Sequence, residues 1–242
     1  PKGQQANLLN RWYMKDGNYT GQYLVRGLYD ERNGGQTQKY IAENGITDPY
    51  HIGIRTWRLD AFMKQGYVFD EAKGTSIGII TSGSYHNQQN VYGHRVYDGA
   101  QGNFYLNAMF QTYFDETDKH KITAGLSLNY DNYYEVMTSD KEEFKIPTME
   151  SAKKTLNMTR QEWTPGVFAE YSLKIDEKLS LLAGVRGDYS TQYGFFVTPR
   201  FNVRYSPWEW WNLRGSVGMG YRSPNLLSDH ASVLPSSRQI II

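Results

Sequence analysis

The stretch from residue 195 to residue 222 alternates between apolar and polar side chains, and this pattern limits the possible folds more than any other feature. Apolar residues occupy the odd positions from 195 to 205, while Thr198, Arg200, Asn202 and Arg204 occupy even ones. The same parity returns from 211 to 221 after a turn that contains three tryptophans. Because successive residues of a strand point to opposite faces, the pattern predicts an antiparallel hairpin with one apolar and one cationic face.

The arginines on the polar face allow two environments for this hairpin. An unpaired charge is very costly to bury, so Arg200 and Arg204 do not fit the core of a small soluble sandwich. In a wide membrane barrel the apolar face meets lipid, the polar face meets a wet lumen, and aromatic residues gather at the membrane interface. A surface hairpin of a soluble antiparallel sheet, with its arginines solvated, fits this stretch equally well.

Composition excludes several classes of protein. Lys and Arg number 26 against 25 for Asp and Glu, and this balance predicts no nucleic-acid partner. The absence of cysteine excludes disulfide frameworks and thiolate metal sites. No run approaches the roughly 20 apolar residues that a membrane-spanning helix needs. A mean hydropathy of −0.65 is compatible with a transmembrane barrel, because half of each strand is polar.

The alternation recurs along the chain and predicts an all-β protein with roughly nine antiparallel strands. The predicted strands cover 19–29, 51–63, 75–85, 103–114, 121–130, 164–173, 179–189, 195–205 and 211–222. Each is near the length that crosses a hydrocarbon core at a tilt. Aromatic residues at the strand ends predict interface girdles, with Tyr29, Trp57, Tyr67, Phe69, Trp208, Trp210 and Trp211 as members.

The predicted connections favour a membrane barrel over a soluble sheet. Short turns near 16, 72, 117, 176 and 208 alternate with long polar loops predicted at 30–50, 86–102 and 131–162. Long loops at one end and short turns at the other are typical of outer-membrane barrels. The connection at 190–194 is short and departs from that alternation.

Several motifs resemble the barrel of TonB-dependent outer-membrane receptors. They are VTPRFNVRYSPW at 197–208, LRGSVGMGYRSPN at 213–225 and SSR at 236–238, supported by GVFAEY at 166–171 and LLAGVRGDY at 181–189. The resemblance implies an antiparallel transmembrane β-barrel of about 22 strands with an N-terminal plug inside it. Residues 1–242 are then expected to supply nine or ten strands of that barrel, with the plug domain and the C-terminal strands absent.

The resemblance also implies a function and a location. Members take up scarce substrates across the outer membrane of Gram-negative bacteria, so the expected ligand is an iron chelate, haem or a cobalamin-like compound. The implied partners are outer-membrane lipid and a TonB-type energy-transducing protein, which engages a part not present in these residues. No cofactor is expected. A barrel-borne surface enzyme or adhesin, and a soluble all-β binding domain, remain the alternatives.

Two groups of residues are candidates for binding the substrate. Tyr92, His94, Arg95 and Tyr97, in the predicted loop 86–102, combine stacking, hydrogen bonding and positive charge. Arg200 and Arg204 lie on the predicted lumen side, where they could line a path for anionic chelates. In the alternative interpretation the loop is simply polar, and the lumen arginines pair with carboxylates on neighbouring strands, such as Asp60, Glu170 and Asp188.

Catalysis and metal binding have little support in the sequence. The run Gly-Thr-Ser-Ile-Gly at 74–78 matches a nucleophile elbow, but it opens an alternating strand instead of joining a strand to a helix. The five histidines do not fall at metal-ligand spacing. We therefore expect no catalytic residue and no metal site.

Overall fold

The fold is a ten-stranded antiparallel sheet, taken from a computed structural model that describes residues 1–115, 117–139, 144–145, 155–225, 229 and 240–241. Its strands are β1 (Lys2–Asp16), β2 (Tyr19–Gly35), β3 (His51–Asp70), β4 (Thr75–Tyr92), β5 (Arg95–Tyr113), β6 (His120–Ser139), β8 (Thr155–Lys174), β9 (Leu179–Ser190), β10 (Gly194–Trp208) and β11 (Trp211–Gly218). A separate two-residue parallel pair joins β7 (Phe144–Lys145) to β12 (Ile240–Ile241). The helix α1 (Gln38–Asn44) lies between β2 and β3.

Every long strand pairs with its neighbours along the chain. The sheet order is β1-β2-β3-β4-β5-β6-β8-β9-β10-β11, and the sheet does not close on itself. This arrangement confirms the predicted all-β antiparallel architecture and corresponds to part of a larger transmembrane barrel wall. No helix in the described residues is long and apolar enough to cross a membrane.

The register gives the sheet a polar and an apolar face. The polar face, called the lumen face below, consists of the even-numbered positions of β2–β4 and β8–β11 and the odd-numbered positions of β1, β5 and β6. None of the described residues covers the opposite, apolar face with a second layer: Val197 is 46% exposed and Phe201 is 43% exposed. A soluble sheet would bury these side chains in a core, so the soluble alternative is wrong.

Aromatic side chains form two rows on the apolar face. The first row contains Tyr29, Trp57, Tyr85, Phe104, Tyr130, Trp163, Tyr189 and Phe195, most of them directly opposite each other on adjacent strands. The second row lies near the short turns, where Tyr67, Phe114 and Tyr205 each follow a first-row residue by ten positions. Ten strand residues tilted by about 45° rise about 24 Å, which matches the roughly 25 Å apolar band of a barrel.

The long loop predicted at 86–102 is wrong, and those predicted at 30–50 and 131–162 are too long, because residues 30–35, 131–139 and 155–162 belong to strands. Strand β2 continues to Gly35, β4 and β5 meet in a two-residue turn at 93–94, and β6 continues to Ser139 before β8 resumes at Thr155. Beyond the first aromatic row both faces of a strand meet water, so the apolar–polar alternation disappears while backbone pairing continues. We call this side of the sheet the extended end and the opposite side the short-turn end.

The start of the chain forms a strand that the alternation did not predict. The polar residues that open the chain form β1, which pairs with β2 through a turn at 17–18 and brings the count of long strands to ten. The SSR run at 236–238, which contributed to the family resemblance, lies outside the described residues. So does most of the stretch between β6 and β8.

A charge on the apolar face should destabilise the barrel far more than one on the lumen face. Leu126 is 62% exposed at the middle of the apolar band, opposite Val167. We expect Leu126→Arg to lower the free energy of unfolding by about 2–4 kcal/mol. The matched control is Ser84→Arg on the lumen face, opposite Asp60. It should cost less than about 1 kcal/mol. Denaturation of the full-length protein in lipid vesicles measures both, and equal costs would contradict the assigned faces.

The turn between β5 and β6 should lose stability in acid. The Asp115 carboxylate accepts a hydrogen bond from the Thr117 hydroxyl and from the backbone N–H groups of Lys119 and His120. These bonds lower the pKa of Asp115 to about 2, led by the Thr117 hydroxyl. Because the unfolded carboxyl has a pKa of about 4, the stabilisation is complete above that pH and is lost as the pH falls towards 2.

Thermal unfolding at several pH values tests this turn. Asp115→Asn should lower the melting temperature at pH 7, and the difference from the native chain should vanish near pH 2. Asp118→Asn is the control, because Asp118 lies in the same turn without a side-chain hydrogen bond among the described contacts. A difference that stays constant with pH would show that the carboxylate charge is not responsible.

Candidate functional site

The lumen face carries the larger cavities in the described part of the chain, whereas one of about 380 Å³ opens on the opposite face at the extended end. A cavity of about 810 Å³ at the short-turn end is lined by side chains from β5, β6 and β8–β11. Cavities of about 520 and 620 Å³ open on the same face near the extended end. A concave, polar surface with cavities of this size is where a small ligand would bind.

An arginine on β9 forms a hydrogen bond to β6 across the intervening strand β8 on this face. Arg186 donates two hydrogen bonds to Asp188, at 2.7 and 2.6 Å, and a third to the Ser127 hydroxyl on β6 at 2.7 Å. To reach Ser127 it passes over Gly166 of β8. A Cβ at Gly166 would lie 2.0 Å from Asp188 Oδ1, so any other residue there would displace the Asp188 side chain.

Other lumen arginines also pair with carboxylates, as the alternative interpretation of the sequence proposed. The Arg58 Nε donates to Asp60 Oδ1 at 2.7 Å, and Arg200 forms an ion pair with Glu170. Arg204 differs, because it lies directly opposite Arg214 and has no ion pair among the described residues.

Amide, carboxylate and phenol groups form a network near the extended end. The Asp131 Oδ1 accepts from Asn103 Nδ2 at 2.8 Å, and Asn129 also donates to this carboxylate. The Gln101 Nε2 donates to the Tyr133 hydroxyl at 2.7 Å. The positively charged group of Arg160 lies 4.5 Å from the centre of the Tyr133 ring. The network therefore offers hydrogen-bond donors, acceptors, an aromatic face and a positive charge within one area.

Arg160 is the residue of this network best placed to meet a ligand. It lines both the 520 and the 620 Å³ cavities. One of its nitrogens donates to the carbonyl of Pro224, whereas its buried Nε has no hydrogen-bond partner among the described residues. Because the guanidinium lies beside both cavities, its positive charge would stabilise an anionic or carbonyl group in either of them.

The residues after β11 cover part of the lumen face. We call residues 219–225 the strap. The Tyr221 ring stacks on Phe196 at 4.0 Å between centroids, and its hydroxyl donates to Glu162 at 3.0 Å. The Ser223 hydroxyl donates to the same carboxylate at 2.8 Å. The strap therefore forms one wall of the 520 Å³ cavity.

Glu162 links the strap to the turn between β9 and β10. Its side chain is nearly inaccessible, at 2% exposure, and it accepts a further hydrogen bond of 2.6 Å from Ser190. The Ser190 hydroxyl in turn accepts from the backbone N–H groups of Gln192 and Tyr193. One buried carboxylate thus fixes both the turn and the strap, because three hydroxyl groups satisfy it.

The sequence-predicted residues of the segment 86–102 lie on paired strands and not in a loop. Tyr92 ends β4, and Arg95 and Tyr97 belong to β5. All three are at most 8% exposed, and the two tyrosines pack with Met137 and Leu156 in a small core at the extended end. Burial and the hydrogen bond to Glu135 raise the pKa of Tyr97.

His94 is the member of this group at the tip of the hairpin. Its Nε2 lies 3.0 Å from Asp48 Oδ2 in the connection between β2 and β3. The preceding Gly93 adopts a φ of +61°, and a Cβ there would lie 2.8 Å from the Tyr50 ring. The tip is thereby held against the adjacent connection, while Arg200 and Arg204 lie far along the lumen face. The structure does not bring the six predicted residues into one cluster.

Sequence reasoning missed Asp131, Tyr133 and Arg160 of the network because they fell inside the predicted loop 131–162. The signal was present: Asp131, Tyr133 and Glu135 continue the odd-numbered polar positions of β6, and Arg160 and Glu162 share the parity of Glu170 on β8. Among the described residues no group of three or more His, Cys, Asp or Glu side chains could hold a metal ion.

A curved antiparallel wall with a lipid-compatible outer face and a polar inner face defines the transmembrane β-barrels. Within that class, the family model described as TonB dependent receptor-like, beta-barrel matches residues 3–237. The chain belongs to this family, as its sequence motifs indicated. A search of curated protein sequences found no match.

Solved structures of receptors share the fold at low sequence identity. The alcaligin outer-membrane receptor FauA from Bordetella pertussis superposes with a TM-score of 0.62 at 10% identity, over 88% of this chain and 35% of FauA. The ferric citrate transporter FecA gives a TM-score of 0.59 at 12% identity, over 89% of this chain and 36% of FecA. The chain therefore spans about a third of the length of these two proteins.

Removing the Glu162 carboxylate should release the strap. Glu162→Ala removes the acceptor of the Tyr221 and Ser223 hydroxyls, and each hydrogen bond to a charged group contributes about 1.5–3 kcal/mol. Amide hydrogen exchange in residues 219–225 should become at least about tenfold faster. Glu177→Ala, in the turn between β8 and β9, is the control and should leave this exchange unchanged. Equal protection in both variants would show that the strap is held by other contacts.

Proposed function

We propose that the chain is part of an outer-membrane receptor that takes up a scarce substrate, such as an iron chelate, haem or a cobalamin-like compound, in an energy-coupled way. The observation that carries this proposal is the polar network with Arg160 at the extended end of the lumen face, beside two cavities. Family membership supports a receptor, and one structure with the same fold is a ferric citrate transporter.

The orientation of the wall follows from its two ends. Outer-membrane barrels place short turns in the periplasm and their longer connections outside the cell. The extended end of this sheet, with the tip at His94, then faces the medium, and the short-turn end faces the periplasm. A substrate that enters the barrel meets the extended end first.

The substrate would contact residues in sequence from the extended end towards the short-turn end. In our proposal the substrate reaches Tyr133 and Arg160 below the hairpin tip. The sequence-predicted set of Tyr92, His94, Arg95, Tyr97, Arg200 and Arg204 stays a prediction. Within it, His94 would contact the substrate at the entrance and the two deeper arginines would contact it later.

The chemistry at Arg160 favours a substrate with an anionic or carbonyl group. The carboxylates around it are already engaged, since Asp131 accepts from Asn103 and Glu162 accepts three hydroxyl groups. The guanidinium of Arg160 is the group with remaining donor capacity. Its planar fork suits carboxylate, and the neighbouring Tyr133 ring adds a stacking surface.

The remaining parts of the machinery would come from outside residues 1–242. In this proposal further strands complete the barrel in the outer membrane of a Gram-negative cell, with lipid against the apolar face. A plug domain would fill the lumen, and a TonB-type protein would supply energy through a segment outside this chain. No step in this proposal requires a cofactor or an enzymatic activity.

Uptake assays test the proposal directly. Cells that express the full-length receptor should accumulate radiolabelled ferric citrate, haem or cobalamin, and deletion of the energy-transducing protein should abolish the accumulation. Arg160→Gln should weaken substrate binding about tenfold, because it removes one charge-assisted hydrogen bond. Arg58→Gln, which affects a paired arginine on β3, is the control and should change binding less than twofold.

Two results would contradict the proposal. Accumulation that continues unchanged without the energy-transducing protein would exclude an energy-coupled receptor and favour a surface enzyme or adhesin with an inert lumen. Substrate binding that is equal in the Arg160→Gln and native receptors would show that the network at the extended end is not the binding site.

A further inference from the structure

A row of positive charges crosses the lumen face at the short-turn end. Lys174 of β8 lies opposite Ser180 of β9, Ser180 lies opposite Arg204 of β10, and Arg204 lies opposite Arg214 of β11. Residues directly opposite each other on neighbouring strands lie about 5 Å apart, so the row covers about 14 Å. Three cations and one hydroxyl group therefore share a single line on one face. We call these four residues the cationic row.

The adjacent line of the lumen face adds hydrogen-bond donors. Lys121 of β6 lies opposite Ser172 of β8, and Asn202 of β10 lies opposite Ser216 of β11. Lys121 also sits over the Tyr113 ring, at 5.9 Å from its centre. Hydroxyl and amide groups thus flank the cations, and no carboxylate occupies a position in either line.

The cationic row is not neutralised within the described residues. None of its three cations has an ion pair there, whereas Arg58, Arg186 and Arg200 on the same face each pair with a carboxylate. The two acidic residues that line the cavity in front of the row, Asp118 and Glu177, lie in the turns. Like charges placed directly opposite each other destabilise a sheet, so the Arg204–Arg214 pair needs an anion to compensate it.

The space in front of the row suits a small molecule. Lys174, Arg204 and Arg214 have exposed side chains and line the cavity of about 810 Å³, together with Lys119 and Lys121. Five cations and two carboxylates thus line this cavity. Ligand cavities in proteins commonly measure about 300–1,000 Å³, so the volume fits a compact ligand with several charges.

We propose that the cationic row is a binding site for a small polyanion that carries two or more phosphate or carboxylate groups. Phosphate and carboxylate are the groups that paired arginines recognise best. The site shares Arg204 with the predicted substrate contacts and otherwise goes beyond the proposed function, because it lies at the opposite end of the lumen face from Arg160. The proposed polyanion site requires only that the short-turn end of the lumen face is in contact with water.

Calorimetry on the full-length protein in non-ionic detergent tests the site, with pyrophosphate and citrate as probes. At low ionic strength both probes should bind saturably, and 0.5 M salt should weaken this binding strongly. The double substitution Arg204→Gln/Arg214→Gln should reduce the affinity at least tenfold. Arg58→Gln, which alters a paired lumen arginine outside the cavity, should change the affinity less than twofold.

The conservative variant Arg204→Lys/Arg214→Lys keeps the charges and should bind within about threefold of the native protein, which separates loss of charge from loss of folding. Two results overturn the proposal: no saturable binding to the native protein, as when another part of the receptor covers the row, or equal affinity in the glutamine double variant. Energy-coupled uptake is measured separately. If uptake persists while the probes do not bind, this site fails and the proposed function stands.

Discussion

Hydrogen bonding between neighbouring strands is the constraint on which the rest of this structure depends. In hydrocarbon an unpaired backbone N–H or C=O group costs several kcal/mol, so each strand that crosses the apolar band must be paired along its length. In the ten-stranded sheet β2 to β6 and β9 meet this condition on both edges, whereas β8 and β10 meet it fully on one edge and over part of the other. With the backbone fixed in this way, the two faces of each strand can meet different solvents, and side-chain parity decides which residue meets lipid or water.

The same constraint explains how much of the fold was predictable. Within the apolar band the alternation of Ile122, Ala124, Leu126 and Leu128 identifies a strand, because its two faces contact lipid and water. Above the band both faces contact water, and polar residues such as those at 87–90 carry no period. The sequence therefore predicted the spanning segments well and treated their continuation as loops, although backbone pairing does not stop there.

In the candidate site, the sequence predicted only those contacts that follow from two side chains lying on the same face of the sheet. Parity places Arg58 beside Asp60, and it places Arg200 and Glu170 on one face, so their pairing was a reasonable expectation. By contrast, the role of Gly166 depends on Arg186 reaching past it to another strand, which a single sequence does not reveal. The strap and its buried carboxylate likewise depend on a contact between residues about 60 positions apart.

The charges on the lumen face are paired differently at its two ends. Near the extended end Asp131 and Glu162 are satisfied by partners in the same wall, while Arg160 keeps a nitrogen without a hydrogen-bond partner among the described residues. At the short-turn end positive charges accumulate without an ion pair among the described residues. The potential on this face therefore becomes more positive towards the short-turn end, which would draw an anion inward.

The sequential strand order also has an evolutionary consequence. Because each strand of the sheet forms backbone hydrogen bonds only with its two neighbours in the strand order, the wall is built from hairpins whose backbone pairing is local. Duplication or deletion of one hairpin changes the circumference and leaves the pairing elsewhere intact, much as repeat proteins gain and lose units. A wall of this kind can be widened or narrowed in steps of two strands without redesigning the residues that face the lumen.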